Sequence, residues 1–288
     1  MTVPLRSLLF CPATVPRRVR KLPSLGADAV AIDLEDAVTN DRKVDARDDV
    51  VSVLGDFATT RTYVRVNHPS TGLTTGDIAA VVHPHLDGIV LPKVESPEEV
   101  AGADADLAAA ERADGMEVGR TKILVLIESA LGVHRAIEIL EASDRVETAI
   151  FGYVDFMLDI GIDAIDTSDN TEELLYARSS LVVAARVAGR RAPLDGPFID
   201  IDDSERFLRQ CRQGRALGYA GKMLIHPSQV ELTHEGFRPG AVEVEQAARV
   251  VARFEQAEAE GSAAIVVDGR LVDYPVAMRA RRIVEAGS

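Results

Sequence analysis

Glu128 ends an unbroken apolar run of strand length, Ile123-Leu-Val-Leu-Ile127. Ser129-Ala-Leu-Gly and an amphipathic stretch, Val133 to Leu140, follow it. A run of this kind fits a parallel strand covered on both faces, and a carboxylate where such a strand gives way to a helix is placed for chemistry. The pattern recurs in Thr148-Ala-Ile-Phe-Gly-Tyr-Val-Asp155. Two consecutive strands that each deliver one carboxylate to the same end can hold one hard divalent cation between them. Mg2+ suits the pair, because it is usually held by one or two carboxylates and keeps positions for water and substrate. Taken singly, Glu128 and Asp155 read as well as helix N-caps or surface carboxylates. As a pair they favour a metal.

The elements that would position them follow from the spacing of apolar residues. Short apolar runs occur at Ser7–Cys11, Ala29–Asp33, Thr62–Val66, Gly88–Leu91, Ile123–Ile127, Ala149–Gly152, Phe198–Ile201 and Lys222–Ile225. Between them, helical spacing marks Arg17–Leu25, Lys43–Leu54, Pro97–Arg112, Val133–Glu141, Leu174–Ala188 and Ser204–Leu217. Strand–helix alternation means a parallel sheet, and eight repeats suggest closure into a TIM (β/α)8 barrel, which needs about 250 residues. The chain has 288. Polar residues close each run: Pro12; Asp33, Glu35 and Asp36; Arg65 and Asn67; Lys93 and Glu95; Glu128; Asp155; Asp200 and Asp202; His226. In a barrel those positions converge on the C-terminal face, where such folds keep their active sites.

The barrel is expected over residues 1–240 and a C-terminal extension over 241–288. In the extension, Val242–Ala259 reads as a long helix. Asp268-Gly269 between two apolar runs is a hairpin signal. A barrel needs no such addition, so the extension is expected to cover the site or reach a neighbouring subunit. Hydrophobic residues make up 47% of the chain, enough for a sizeable core, and the net charge is −14. That charge gives no overall field favouring nucleic acid or an anionic membrane. No apolar run approaches the roughly 20 residues of a membrane span, and no signal peptide is evident at the N-terminus. Cys11 and Cys211 stand in no metal or redox spacing and read as buried small hydrophobes. A cytoplasmic protein is expected.

Several segments in order carry a family resemblance: Arg6-Ser-Leu-Leu-Phe-Cys-Pro12, Gly26-Ala-Asp-Ala-Val-Ala-Ile-Asp-Leu-Glu-Asp-Ala-Val38, Val64-Arg-Val-Asn67 and Leu91-Pro-Lys-Val-Glu-Ser96. Ile127-Glu-Ser-Ala-Leu-Gly132, Phe151-Gly-Tyr-Val-Asp155, Gly221-Lys-Met-Leu-Ile-His-Pro-Ser-Gln229 and Val272-Asp-Tyr-Pro275 complete it. The chain resembles the citrate lyase β-subunit-like proteins of the HpcH/HpaI aldolase superfamily, which include malyl-CoA and citramalyl-CoA lyases. The resemblance implies a Mg2+-dependent barrel that makes or breaks a carbon–carbon bond beside a CoA thioester, releasing glyoxylate, pyruvate or oxaloacetate. It implies Glu128 and Asp155 as metal ligands and Arg65 as the group that binds the keto acid and the developing enolate. Asp273 matches an aspartate that in relatives reaches a neighbouring subunit's site, which implies a homotrimer or hexamer. Arg17, Arg18 and Lys21 fall near positions that contact CoA phosphates. Pro12 is assigned with Arg17 and Lys21 to the substrate and CoA site. Tyr153 and Val154 depart from the small and acidic residues common in relatives, and Tyr153 is bulky enough to narrow an acyl pocket.

A retro-Claisen cleavage of a 3-hydroxyacyl thioester fits this set. On this reading Asp273 shuttles the proton, Arg65 stabilises charge, and Glu35 and Asp36 hold metal-bound water or Arg65. Blander readings stand beside it. Asp33, Glu35 and Asp36 also read as helix caps or partners of Arg42 and Lys43, Arg65 as an ion-pair partner of Glu35, and His226 as a core histidine. Asp273 also reads as a turn carboxylate and Arg17–Lys21 as a solvated helix face. The alternatives are a malyl-CoA-type thioesterase, a CoA-independent aldolase of the same superfamily, a citrate lyase β subunit acting with an acyl-carrier partner and, as the blandest, a non-catalytic binding role.

Overall fold

Short runs rich in Val, Ile, Leu and Ala become strands whose residues are buried whichever face they point to, as expected where helices cover one face and a barrel interior the other. The computed structural model describes residues 5–57 and 59–287. They fall into two compact units, Met1–His234 and Glu235–Ser288. In the first unit, β1 (Ser7–Pro12), β2 (Ala29–Asp33), β3 (Thr62–Arg65), β4 (Gly88–Leu91), β5 (Lys122–Ile127), β6 (Val146–Phe151), β7 (Leu194–Asp195) and β8 (Gly221–Leu224) form a closed parallel barrel in sequence order. Helices α1 (Pro16–Val19), α2 (Ala46–Leu54), α3 (Thr74–Val81), α4 (Pro97–Ala113), α5 (Ala130–His134) and α6 (Ala136–Glu141) join the first strands. Then come α7 (Tyr153–Asp159), α8 (Leu175–Val187), α9 (Ser204–Leu217) and α10 (Gln229–Gly236). The TIM-type fold expected from the alternation is the fold observed.

Strand alternation decides what faces the barrel axis. The interior cluster takes every second residue: Leu8 and Phe10, Ala29 and Ala31, Tyr63, Val90, Leu124 and Leu126, Ile150, Leu194 and Met223. Carried two residues on, the same alternation turns Asp33, Arg65, Glu128 and Gly152 toward the axis at the C-terminal end. Register supports it, with Pro12 beside Asp33 and Asp33 beside Arg65.

The seventh strand is not where the sequence pattern puts it. Phe198–Ile201 lies outside any strand, and β7 is the short pair Leu194–Asp195. The pattern misleads because β7 ends in a buried carboxylate. Asp195 accepts hydrogen bonds from Arg178 Nε (3.1 Å) and Nη2 (2.8 Å) and from Lys222 Nζ (3.2 Å). Phe198 is buried against Phe207 of α9 instead. The strand-end acid is therefore Asp195, pointing away from the axis, whereas Asp200 and Asp202 are exposed. Three smaller expectations also change. Arg17–Leu25 is one α-turn followed by a 3-10 turn, Leu22–Leu25, because Pro23 interrupts it. Val133–Glu141 divides into α5 and α6. His226 is exposed, not core, with its Nδ1 2.8 Å from Ser228 Oγ.

The second unit packs α11 (Ala241–Ala259) and α12 (Tyr274–Gly287) with a hairpin of β9 (Ile265–Val267) and β10 (Arg270–Val272) around Phe254, Val267, Val272 and Ala277. Asp268 and Gly269 both have positive φ, 50° and 75°, as a two-residue type I′ turn requires. Asp273 directly precedes α12, and its Oδ1 accepts the Val276 N–H at 3.2 Å. It is thus a helix cap and not a carboxylate of the hairpin turn. Among the described residues no helix is long and apolar enough to cross a membrane.

Burial tends to raise the Asp195 pKa, but Lys222 and Arg178 outweigh it and hold the carboxyl below the usual range. Its contribution to stability is therefore present at neutral pH and is lost as pH falls through the acid range. Asp195→Ala, which strands two buried cations, is expected to cost about 3–5 kcal/mol in urea unfolding. Asp200→Ala should change stability by no more than about 0.5 kcal/mol.

Candidate active site

Arg65, at the end of β3, is held by a bidentate pair. Its Nε donates to Asp33 Oδ1 at 2.7 Å and its Nη2 to Asp33 Oδ2 at 2.6 Å. A planar guanidinium on a carboxylate in this geometry is fixed in orientation as well as bound. Its third nitrogen, Nη1, lies 3.1 Å from Glu35 Oε2 and 3.8 Å from Asp36 Oδ2. The Phe10 ring lies 5.5 Å from the guanidinium carbon, a cation–π distance. Burial opposes the charge on Arg65, but Asp33, Glu35 and Asp36 outweigh it and keep the group protonated.

Asp33 also organises its own loop, accepting the N–H of Glu35 at 2.9 Å and of Ala37 at 3.2 Å. It is both a turn cap and an ion-pair partner, and the partner is Arg65, not Arg42 or Lys43. Arg42 lies instead near Asp45 and Asp49. Lys43 is buried and donates to Asn67 Oδ1 (2.6 Å) and to the Glu35 carbonyl (2.9 Å). Asn67 in turn donates its backbone and side-chain N–H groups to Asp77, which also takes Arg47. This layer behind Glu35 fixes the β2 and β3 loops to each other.

Opposite lies the carboxylate pair. Glu128 Oε1 accepts the Lys93 backbone N–H at 2.9 Å. Among the described residues no donor reaches Oε2. Gly152, at the end of β6, makes room for this carboxylate: a Cβ there would stand 2.3 Å from Glu128 Oε2. Asp155 sits in the first turn of α7. The α5 and α7 segments are tied by the Ala130 N–H donating to Asp159 Oδ2 at 2.7 Å. Burial, and then the nearby charge of Asp155, push the Glu128 carboxyl up to about 8. Glu35 is raised too, mainly by burial. Asp36 is held down, because its hydrogen bonds with Glu35 and Lys93 and the charge of Arg65 outweigh its burial.

Glu128 and Asp155 line one open cleft of about 400 Å³ together with His68, Lys93, Glu95, Ser129, Leu158 and Asp159. Two neighbouring carboxylates, one with an unclaimed oxygen and a raised pKa, fit a divalent cation by their donor chemistry. Among the described residues no group of three or more His, Cys, Asp or Glu side chains forms a metal cluster. Two protein ligands are what a Mg2+ site that keeps water and substrate positions offers.

The structure thus brings Pro12, Glu35, Asp36, Arg65, Glu128 and Asp155 to one end of the barrel. Arg17 and Lys21 are exposed on the segment after β1, and among the described residues neither is in an ion pair. Asp273 belongs to the second unit. Tyr153 does not narrow the cleft: it is buried beside Arg178, Asp195 and Lys222 and packs against Gly196. Lys93, Asp33 and His68 are the site residues to which sequence reasoning gave no role in the chemistry. The signal for Lys93 was its place at the end of β4.

Gly152→Ala is expected to displace the Glu128 carboxylate and weaken divalent-cation binding by about tenfold or more, measured by calorimetry, with the fold retained. The raised Glu128 pKa means that the folded, cation-free protein holds a proton that the unfolded chain releases. Between pH 4.5 and about 8 its stability should therefore fall as pH rises. Unfolding in EDTA across that window should show this slope, and Glu128→Gln should flatten it.

Residues 6–227 match the HpcH/HpaI aldolase/citrate lyase family. The citrate lyase subunit beta of Leuconostoc mesenteroides subsp. cremoris is 36% identical over 282 residues, spanning 97% of this chain and 92% of its own. The L-malyl-CoA/beta-methylmalyl-CoA lyase of Cereibacter sphaeroides is 34% identical over 303, spanning 98% and 94%. The crystal structure of the protein CitE from Mycobacterium tuberculosis, in complex with magnesium, acetoacetate and coenzyme A, superposes with a TM-score of 0.83. It is 27% identical, with 99% of this chain and 98% of that one covered. With this barrel, this strand-end set and these relatives, the chain belongs to the HpcH/HpaI aldolase/citrate lyase family.

Proposed function

We propose that the protein is a Mg2+-dependent carbon–carbon lyase that cleaves a 3-hydroxy-3-carboxyacyl-CoA, of the malyl-CoA or citramalyl-CoA type, to acetyl-CoA and a 2-keto acid. The observation that carries this reading is the buried Glu128 carboxylate beside Asp155, a pair that fits a cation, at the same barrel end as a fixed, desolvated arginine. The relatives named lyases and the magnesium and coenzyme A in the CitE structure support it. Bound between Glu128 and Asp155, the ion would polarise the oxygens of the hydroxy acid and of the keto acid it becomes.

The chain's own residues account for the remaining steps. A base takes the proton of the substrate hydroxyl. The bond between the carbinol carbon and the thioester α-carbon breaks, its electron pair passes into the thioester enolate, and the carbinol carbon becomes the keto group. Protonation of the enolate at carbon gives acetyl-CoA. Arg65, permanently charged and locked on Asp33, holds the developing negative charge. Glu35 and Asp36 keep Arg65 in place. Asp273 is assigned the proton transfers, working from a neighbouring subunit in a homotrimer or hexamer; its family match supports this. Arg17 and Lys21, exposed and unpaired among the described residues, are assigned to the CoA phosphates, with Pro12 at the substrate edge. Free, buried Cys11 and Cys211 support a reducing, cytoplasmic compartment.

The 36% identity to a citrate lyase subunit beta favours one second reading, a β subunit that acts on an acyl-carrier thioester. A coupled assay with Mg2+ separates these. The protein is offered malyl-CoA, citramalyl-CoA and citryl-CoA, and separately a citryl thioester of an acyl-carrier protein, with keto acid and free thiol both followed. Keto acid without free thiol is expected, abolished by EDTA and reduced at least about 100-fold in kcat by Arg65→Lys or Asp273→Asn. Free thiol without keto acid would make the protein a thioesterase. Cleavage only of a carrier-bound thioester would favour the β-subunit reading.

A further inference from the structure

Lys93 is hydrogen-bonded to both halves of the site, to Glu128 on one side and to Glu35 and Asp36 on the other. It follows β4 and Pro92, and its φ is +52°, the left-handed region that a non-glycine residue rarely enters. In that conformation its amide donates to Glu128 Oε1 at 2.9 Å. Its side chain runs the other way, with Nζ 2.6 Å from Glu35 Oε1 and 3.0 Å from Asp36 Oδ1. Backbone strain kept at a cleft residue invites a functional reason, and here the strained residue is bonded at both ends to groups with proposed roles.

The side-chain half concerns the division of Glu35. Its Oε1 goes to Lys93, while its Oε2 lies 3.1 Å from Arg65 Nη1 and accepts the Asp36 N–H. Asp36 is held by Lys93 at 3.0 Å and stands farther off, at 3.8 Å, from the same Nη1. Without the ammonium, Arg65 is, among the described residues, the remaining cation paired with both carboxylates. Asp36 is half exposed and free to swing onto Nη1. The guanidinium would then be enclosed by three carboxylates and lose the N–H it can offer a substrate.

We propose that Lys93 is a positioning residue with two separable parts. Its left-handed backbone fixes Glu128 with Oε2 left for the cation, and its ammonium, shared between Glu35 Oε1 and Asp36 Oδ1, keeps Asp36 from closing on Arg65 Nη1 so that Arg65 can bind the keto acid. The rate consequence rests on the lyase reading; the binding consequences do not.

Four variants separate the parts. Lys93→Met keeps the backbone and removes the charge, and Lys93→Arg restores a cation. Lys93→Gly accepts positive φ, whereas the branched side chain of Lys93→Val resists it. Calorimetry would give the Mg2+ affinity, then the pyruvate affinity of the Mg2+-loaded protein. Urea unfolding controls for folding, and kcat is measured on the thioester that the wild type cleaves.

The Met and Gly variants should bind Mg2+ within about threefold of wild type, yet bind pyruvate about tenfold more weakly and lose about 30-fold or more in kcat, with Arg recovering most of both. The Val variant should in addition bind Mg2+ about tenfold more weakly than the Gly variant. Unchanged pyruvate affinity in the Met variant would overturn the side-chain part, as would loss of Mg2+ affinity in step with it. Equal Mg2+ affinity in the Val and Gly variants would overturn the backbone part. A wild type inert to every thioester would sink the lyase reading alone, because the two titrations still judge Lys93.

Discussion

Negative charge crowded into the open end of the barrel is the constraint on which the site depends. Asp33, Glu35, Asp36, Glu128 and Asp155 converge there against Arg65 and Lys93. Three of the acids, Asp33, Glu35 and Asp36, are satisfied by direct contact with a cation. Glu128 is not, and burial beside Asp155 drives its carboxyl toward the neutral form. A divalent ion removes that penalty at once, since it replaces a reluctant proton with a stronger positive charge. The same excess explains why Arg65 is locked twice: a loose guanidinium among so many carboxylates would settle wherever the field was strongest.

The barrel supplies the rigidity that this arrangement needs. Side chains that alternate along each strand pack Leu, Ala, Ile and Tyr63 across the axis, and the next residue on the same face becomes the functional one. Gly152 shows how closely the two demands are fitted. On β6 the place of a side chain is taken by the Glu128 carboxylate from β5, so one strand's bare backbone is the other strand's binding space. Behind the cleft, Lys43, Asn67 and Asp77 carry no chemistry but leave the β2 and β3 loops little freedom.

Most of this frame was legible in the sequence because the signals were local. Seven of the eight strands follow from apolar runs, and Glu128, Asp155, Arg65, Glu35 and Asp36 follow from their places at strand ends. β7 was not legible, since a two-residue strand ending in Asp195 carries no apolar signature. The charge that disguises it is neutralised by Arg178 and Lys222, residues distant in sequence. Tyr153 misled for a related reason: its neighbour Asp155 faces the cleft while its own ring turns toward α8 and β7. The partner of Asp33 and the backbone conformation of Lys93 lie beyond any pattern of residue types, because they depend on how two loops meet in space.

The most direct measurement is a crystal structure of the protein with Mn2+ and pyruvate, read by anomalous scattering. One anomalous peak is expected within about 2.2 Å of a carboxylate oxygen of Glu128 and of Asp155, with pyruvate chelating it and an Arg65 N–H on the pyruvate. A peak at Glu35 and Asp36 instead, or ordered pyruvate remote from Arg65, would contradict the account.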